Sequence, residues 1–205
     1  MSFAFSIQAR SPQVESEDRA EVFEHGNALV VVVADGAGGV RGGSLASAAV
    51  VDGVRASMAH RDFDAYNLGG WSDMFARLDV ELASRLAGET TAVIVVAGAR
   101  GIFGVSVGDS EGWVVSAEGM DDLTASQSRR RLGSGRATAT PFHRHSLEGT
   151  LIVGTDGLFK HVAVRPITAS VTGSVTEVAD RLVSLPRLPS GGYPDDVAVV
   201  VARRC

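Results

Sequence analysis

The chain has 205 residues, of which 45% are hydrophobic and 21% are charged, and its formal net charge at pH 7 is -5. This length and hydrophobic content predict a single domain, residues 1–205, with a substantial core. The acidic balance gives no general attraction to nucleic acid or to anionic lipid, and the single cysteine, Cys205, excludes an internal disulfide and a thiolate metal cage.

The sequence shows no signal for membrane insertion or export. Residues 1–27 contain charges throughout and lack the apolar core of a signal peptide, and no apolar run reaches the roughly 18 residues of a membrane helix. A cytoplasmic protein is expected, with no membrane and no nucleic acid among its partners. The basic cluster Arg129-Arg130-Arg131 is interpreted as the solvated surface of a loop.

The hydrophobic pattern predicts a mixed α and β chain. Period-two alternation and short apolar runs predict strands at 3–8, 20–24, 28–33, 90–97, 101–107, 112–117, 151–155 and 197–202. Helical spacing predicts helices over 44–59 and 71–86, a short one at 158–161, and one over 174–185. Ser174 and Glu177 fit a capping box at the start of the last helix.

Turn residues indicate how some of these strands pair. The segment His25-Gly26-Asn27 predicts a hairpin between the strands at 20–24 and 28–33. Glycine turns between the three strands from 90 to 117 predict an antiparallel meander. Asp109 lies in the second of these turns, where a carboxylate usually bonds nearby backbone N–H groups, so a structural role is expected for it.

Acidic residues stand at the ends of several predicted strands. The run Ala28–Val33 leads to Asp35-Gly36-Ala37-Gly38-Gly39, another strand leads to Asp156-Gly157, and Asp195-Asp196 precedes the last strand. The succession of a strand, an acidic residue, glycines and a helix is compatible with a cation site or a phosphate-binding loop. A plain turn is the alternative interpretation, because Asp-Gly is common where strands end. The glycines match neither a dinucleotide fingerprint nor a P-loop.

Carboxylates gathered at one edge repel one another unless a cation offsets their charge. Because the histidines are scattered and no thiolate cage exists, oxygen-ligated Mg²⁺ or Mn²⁺ is favoured over zinc. Two such ions can activate a water for in-line displacement at phosphorus, so this chemistry indicates phosphate ester hydrolysis. Glu17 and Asp18 could lie near Asp35 through the predicted hairpin, although a solvated acidic turn is an equally simple interpretation.

The order of these motifs along nearly the whole chain resembles the metal-dependent PPM (PP2C-like) Ser/Thr phosphatase family, in its compact bacterial type. The motifs are Glu17-Asp18, Asp35-Gly36-Ala37-Gly38-Gly39, Thr90-Thr91-Ala92, Gly108-Asp109-Ser110, Leu123-Thr124, Thr155-Asp156-Gly157-Leu158 and Asp195-Asp196. The resemblance implies an α+β fold, a four-layer α/β/β/α sandwich of two antiparallel sheets flanked by helices. It also implies hydrolysis of phosphoserine and phosphothreonine on a protein partner, such as a Ser/Thr kinase or its target.

The resemblance also implies which residues form a two-metal site. Asp35 would bridge both ions, Mn²⁺ or Mg²⁺, and the carbonyl of Gly36 would bind one of them. Asp156 and Asp195 would hold the other, and Glu17 and Asp18 would ligate directly or through water. The nucleophile would be the bridging water, so Asp35 and Asp18 count as catalytic. Asp196 would take the place of a family asparagine and would not bind metal.

This chain departs from the family in four places. Ala37 replaces a histidine that is proposed as a general acid in eukaryotic members, and Gln13 occupies the position of a phosphate-binding arginine, for which Arg10 is the candidate substitute. Ser126 stands where a third-metal aspartate is expected, and the flap is reduced to the loop 129–140. These losses keep open a weakened module that only binds a signalling partner, and a hydrolase of small phosphate esters is a third alternative.

Overall fold

The structure is a computed structural model that describes residues 1–37, 42–60, 62–85 and 87–205. Its strands are β1 Phe3–Arg10, β2 Arg19–His25, β3 Ala28–Ala34, β4 Gly36–Ala37, β5 Glu89–Thr90, β6 Ala92–Gly98, β7 Gly101–Val107, β8 Glu111–Ser116, β9 Gly119–Asp122, β10 Thr140–Arg144, β11 Thr150–Gly154 and β12 Val197–Arg204. Its helices are α1 Gly43–Met58, α2 Leu68–Arg85, α3 Asp156–Phe159, α4 Val164–Ala169 and α5 Val175–Ser184.

Two five-stranded antiparallel sheets form the centre of the fold. One has the order β1-β12-β11-β8-β9 and the other the order β10-β7-β6-β3-β2. The apolar residues between the sheets make one core cluster, and each sheet packs its outer face on helices in a further cluster. The layers are therefore helix, sheet, sheet and helix, which confirms the expected α+β sandwich.

Strand β3 is a continuous apolar run because both of its faces are covered. Val30 and Val32 pack toward α1 and α2, whereas Val31 and Val33 pack into the core between the sheets. All seven residues of the strand are buried. An apolar run of this kind is typical of a strand inside a layered fold, and here it leads the chain directly to Asp35.

The outer helices agree closely with the sequence pattern. Helix α1 and helix α2 cover one sheet, and α5 covers the other, with its Val178 and Leu182 fully buried. The Ser174 side chain accepts a hydrogen bond from the Glu177 N–H, and Glu177 bonds back to the Ser174 N–H, so the predicted capping box is confirmed. Leu86, at the predicted end of α2, lies outside the described residues.

Some sequence-based assignments were wrong or incomplete. The predicted meander is wrong, because β6 and β7 pair in one sheet while β8 pairs with β9 and β11 in the other. The turn at Asp109 therefore carries the chain between the sheets. The short helix α4 and the strands β9 and β10 were not predicted. Pro166 stands in the first turn of α4, where its missing N–H breaks no intrahelical bond.

The segment 123–139 connects β9 to β10 without a helix or strand of its own. Its single described pairing is an isolated bridge between Leu132 and Thr90. The expectation of a reduced flap is confirmed by this short connection. Within the described ranges, none of the helices combines the length and the apolar character needed to span a membrane.

Candidate metal centre

The backbone of Asp35 is fixed at the end of β3 by two threonines. The Asp35 N–H donates to Thr91 Oγ1 at 3.0 Å, and the Asp35 carbonyl accepts from the Thr91 N–H at 2.9 Å and from Thr90 Oγ1 at 3.0 Å. Both threonines are fully buried. These bonds give the Thr90-Thr91 motif a structural role, since they hold the strand end that carries Asp35.

Three carboxylates from three different connections meet at this edge of the sheets. Asp35 follows β3, Asp109 lies between β7 and β8, and Asp156 opens α3. One oxygen from each lies within 4.8 Å of the others. Three oxygens at this spacing can converge on a small, hard cation, whose bonds to carboxylates are about 2.0–2.2 Å for Mg²⁺.

Asp18 adds a fourth carboxylate that is buried and incompletely bonded. The residue is 6% exposed, and its Oδ2 has no hydrogen-bond partner among the described residues. Burial raises the pKa of Asp18 to about 7, against the lowering effect of a Thr155 hydrogen bond, and the charges of Asp196, Asp156 and Asp195 add to the rise. A buried acceptor without a donor is the kind of group that a cation satisfies.

The pKa of Asp35 is raised still further, to about 9. Burial is the largest cause, and the neighbouring charges of Asp18 and Asp156 raise the pKa as well, while Arg131 lowers it. Burial and the neighbouring charges therefore oppose ionisation of Asp35 and Asp18 when no cation is bound. The donor set is made of hard oxygen atoms, so the residues present fit Mg²⁺ or Mn²⁺.

Glu17, Asp195 and Asp196 lie beside this cluster with different roles. Asp196 is buried, and its carboxylate accepts from Ser11 Oγ at 2.5 Å, Ser16 Oγ at 2.9 Å and the Glu17 N–H at 2.7 Å. Asp195 is exposed and accepts only the Asp196 N–H, at 3.0 Å, among the described residues. Asp196 is thus occupied in fixing the Glu17 loop, whereas the carboxylate of Asp195 is available.

Glu17 itself lies near both of these acids. Its pKa is raised by burial first and then by the charges of Asp196 and Asp195. The structure therefore brings Glu17 and Asp18 close to Asp195, and Asp18 close to Asp35 and Asp156 of the cluster.

Gly36 is packed too closely for any side chain. A Cβ atom at this position would collide with the backbone of Gly43 and of Glu17. The glycine therefore lets the start of α1 and the Glu17 loop approach the strand end that follows Asp35. Gly38 and Gly39, the other glycines of this motif, lie outside the described residues.

Three residues connected with the family departures, Arg10, Gln13 and Ser126, lie at the surface. Arg10 is exposed, and its guanidinium donates to the Ala9 carbonyl at 2.7 Å and contacts Gln8. Gln13 and Ser126 are also exposed. In this structure the bonds of Arg10 are local to its own strand, so its part in binding phosphate stays a prediction.

Two residues of the centre were missed by the sequence interpretation. Asp109 was expected to bond backbone N–H groups, but its carboxylate faces Arg131 Nη2 at 3.3 and 3.5 Å and joins the cluster. Its motif, Gly108-Asp109-Ser110, was the available signal. Arg131 was assigned to a solvated cluster. Arg129 and Arg130 are indeed exposed, but Arg131 is not, and no local pattern separates it from them.

The charge of Arg131 is stabilised by this position. Burial alone would lower its pKa, but the carboxylates of Asp109 and Asp35 outweigh that effect and raise it. Lys160 Nζ lies 3.6 Å from Asp156 Oδ2, with most of its side chain exposed. Two cationic side chains therefore stand at the rim of the acidic cluster.

Solved structures with the same fold are bacterial Ser/Thr phosphatases. The S. agalactiae serine/threonine phosphatase shares 19% identity at a TM-score of 0.84, over 98% of this chain and 99% of that one. The phosphatase Stp1 of Staphylococcus aureus shares 18% at 0.80, over 99% and 94%. The catalytic domain of the phosphatase PstP, solved with two manganese ions, shares 20% at 0.73, over 98% of both chains.

No protein-family model and no curated protein matches this chain. The structural likeness covers nearly the full length at low identity, so it shows the fold. The chain has the fold of the bacterial PP2C-type Ser/Thr phosphatases, with an acidic centre at the edge of its two sheets. The resemblance seen in the motifs is confirmed at this level.

Proposed function

We propose that this chain is a metal-dependent protein Ser/Thr phosphatase, formed by residues 1–205 as one domain. The observation that carries the proposal is the cluster of Asp35, Asp109 and Asp156, together with the buried Asp18, whose Oδ2 has no hydrogen-bond partner among the described residues. Arg131 and Lys160 are fewer than these carboxylates, so they offset only part of the negative charge. A fold can retain such a cluster when divalent cations bind to it.

The proposed ligands come from several separate segments of the chain. Asp35, Gly36 through its carbonyl, Asp156 and Asp195 are the proposed ligands, with Glu17 and Asp18 acting directly or through water. Asp109 joins them as a candidate because its carboxylate lies in the same cluster. When bound, two Mn²⁺ or Mg²⁺ ions would polarise the phosphoryl group and make a water molecule nucleophilic at neutral pH.

The side chains organise the rest of the reaction. Asp35 and Asp18 would hold the cations, and Thr90, Thr91 and Asp196 hold the backbone segments that carry the ligands. In one displacement at phosphorus, the oxygen of a water molecule bonds to phosphorus and the bond to the serine or threonine oxygen breaks. One proton of that water ends on the departing oxygen. Because water is the nucleophile, no covalent enzyme intermediate forms.

The proposed substrate is a cytoplasmic phosphoprotein, such as a Ser/Thr kinase or its target. The solved structures of similar fold are Ser/Thr phosphatases, one of them the catalytic domain of a protein phosphatase.

The proposal is tested by turnover after chelation. Protein treated with EDTA should release no phosphate from a phosphothreonine peptide or from an aryl phosphate, and added Mn²⁺ should restore both activities with preference for the peptide. Asp35→Asn serves as the matched inactive variant. Activity in verified metal-free protein, or Mn²⁺ binding without turnover of either substrate, would refute the proposal, the second outcome in favour of a binding module.

A further inference from the structure

The geometry points to a role for Arg131: we propose that its guanidinium binds the phosphate group of the substrate. This inference rests on the proposed phosphatase function. A phosphate dianion that approaches a centre lined with carboxylates is repelled unless cationic donors meet it. Arginine suits this task because its planar fork can hold two phosphate oxygens at once.

The guanidinium of Arg131 has N–H groups without a hydrogen-bond partner among the described residues. Its bonds within the described residues run from Nη2 alone to the two oxygens of Asp109, at the long distances of 3.3 and 3.5 Å. Nε and Nη1 have no partner in that part of the chain, and 29% of the side chain is exposed. The guanidinium is therefore close to the carboxylates and only weakly held by them.

The backbone on both sides of Arg131 is fixed to the elements that carry the acids. Leu132 exchanges two backbone hydrogen bonds of 2.9 Å with Thr90, the residue that also bonds the Asp35 carbonyl. The Ser128 carbonyl accepts from the Gly108 N–H at 2.7 Å, next to Asp109. The loop thus sets the position of Arg131 relative to Asp35 and Asp109.

Asp79 on α2 holds the loop after Arg131. It is 4% exposed, and its carboxylate accepts the N–H groups of Gly133, Gly135 and Ala137 at 2.8, 2.9 and 3.0 Å. Gly133 has a φ of 96°, which a residue with a side chain rarely adopts, so the turn depends on glycine. We infer that Asp79 is a positioning residue for Arg131.

Lys160 is the less suitable of the two cations. It lies 3.6 Å from Asp156, one helical turn away, and 63% of its own side chain is exposed, so solvent and salt weaken its attraction to the carboxylate. Its ammonium group cannot make the paired bonds of a guanidinium fork. Arg129 and Arg130 are exposed, so they provide neighbours of the same charge outside the centre.

Binding of inorganic phosphate to the Mn²⁺-loaded full chain, measured by calorimetry, tests this role without requiring turnover. Arg131→Ala should raise the dissociation constant for phosphate by about ten- to a hundredfold, the effect of losing charge-assisted hydrogen bonds. Arg131→Lys should recover part of the affinity, and Arg130→Ala should match the wild type. The Mn²⁺ affinity of Arg131→Ala should not fall, since a cation is removed from beside the ligands.

Steady-state kinetics of the same variants provide a second test of the role of Arg131. If the wild type turns over a phosphopeptide, the Arg131→Ala variant should show a larger rise in KM than fall in kcat. The Asp79→Asn variant should also show a raised KM. Unchanged phosphate affinity in Arg131→Ala, or a loss seen with Arg10→Ala instead, would overturn the assignment. Phosphate binding that depends on Arg131 in a protein without turnover would refute the proposed function and leave this inference standing.

Discussion

Replacing Asp35 with asparagine should stabilise the metal-free protein while it abolishes metal binding. Folding raises the pKa of this carboxyl from 3.8 to about 9, with burial as the first cause. Between these two values the folded protein holds a proton that the unfolded chain has released, so stability falls as the pH rises through that range. Asparagine has nearly the same shape and carries no charge.

The size of the effect follows from the same shift. Each pH unit in that range costs the wild type about 1.4 kcal/mol, so at pH 7 the carboxyl costs on the order of 4 kcal/mol. Asp35→Asn removes this cost and should raise the melting temperature of metal-free protein by roughly 10 °C for a chain of this size. The advantage should shrink as the pH falls toward 4, where the unfolded chain also keeps its proton.

Urea unfolding in EDTA at pH 5, 6, 7 and 8 measures this dependence directly. The wild type should lose stability across the series, and Asp35→Asn should lose distinctly less. Saturating Mn²⁺ should reverse the order of the two proteins, because the ions stabilise only a folded state that can bind them. A variant that is no more stable than the wild type at pH 8 without metal would refute the reasoning.

Three further predictions concern neighbouring residues. Asp195→Asn should lower Mn²⁺ affinity and turnover by orders of magnitude. Asp196→Asn should be tolerated, since its amide oxygen can accept the hydrogen bonds from Glu17 and Ser16 and its amide nitrogen can donate one to Ser11. If Asp196→Asn is the inactive variant and Asp195→Asn stays active, the assignment is wrong. Asp79→Asn should lower the free energy of unfolding by about 1–3 kcal/mol, because the Ala137 N–H then faces an amide donor, and an unchanged urea midpoint would contradict this. Calorimetry should count two tightly bound Mn²⁺ ions, because Ser126 supplies no carboxylate for a third, and a stoichiometry of three would show that another acid serves.

The layered fold could be predicted because its signals are local. The apolar strand predicted at 28–33 is present and continues to Ala34, and the capping box of α5 is confirmed. The pairing of β8 was not readable in this way. A glycine turn predicts a hairpin, but whether the next strand returns to the same sheet depends on tertiary partners, here β11 and β9.

The candidate site was predicted in part for the same reason. Asp35 and Asp156 end apolar strands and precede glycines, so their motif marks them, and the structure brings them together with Asp18. Arg131 and Arg130 are adjacent arginines in one loop, and they differ in where the fold places their side chains. That position is set by Thr90 and Asp79, which are distant in sequence, so no local pattern could select it.

The proposed two-metal site can be located in a crystal of the full chain grown with Mn²⁺, by anomalous scattering measured at the manganese absorption edge. We expect two peaks where the strands of the two sheets end, with the Asp35 carboxylate in contact with both ions and with Asp156 and Asp195 at one of them. Peaks absent from these carboxylates, or a single ion bound away from Asp35, would contradict the proposed site.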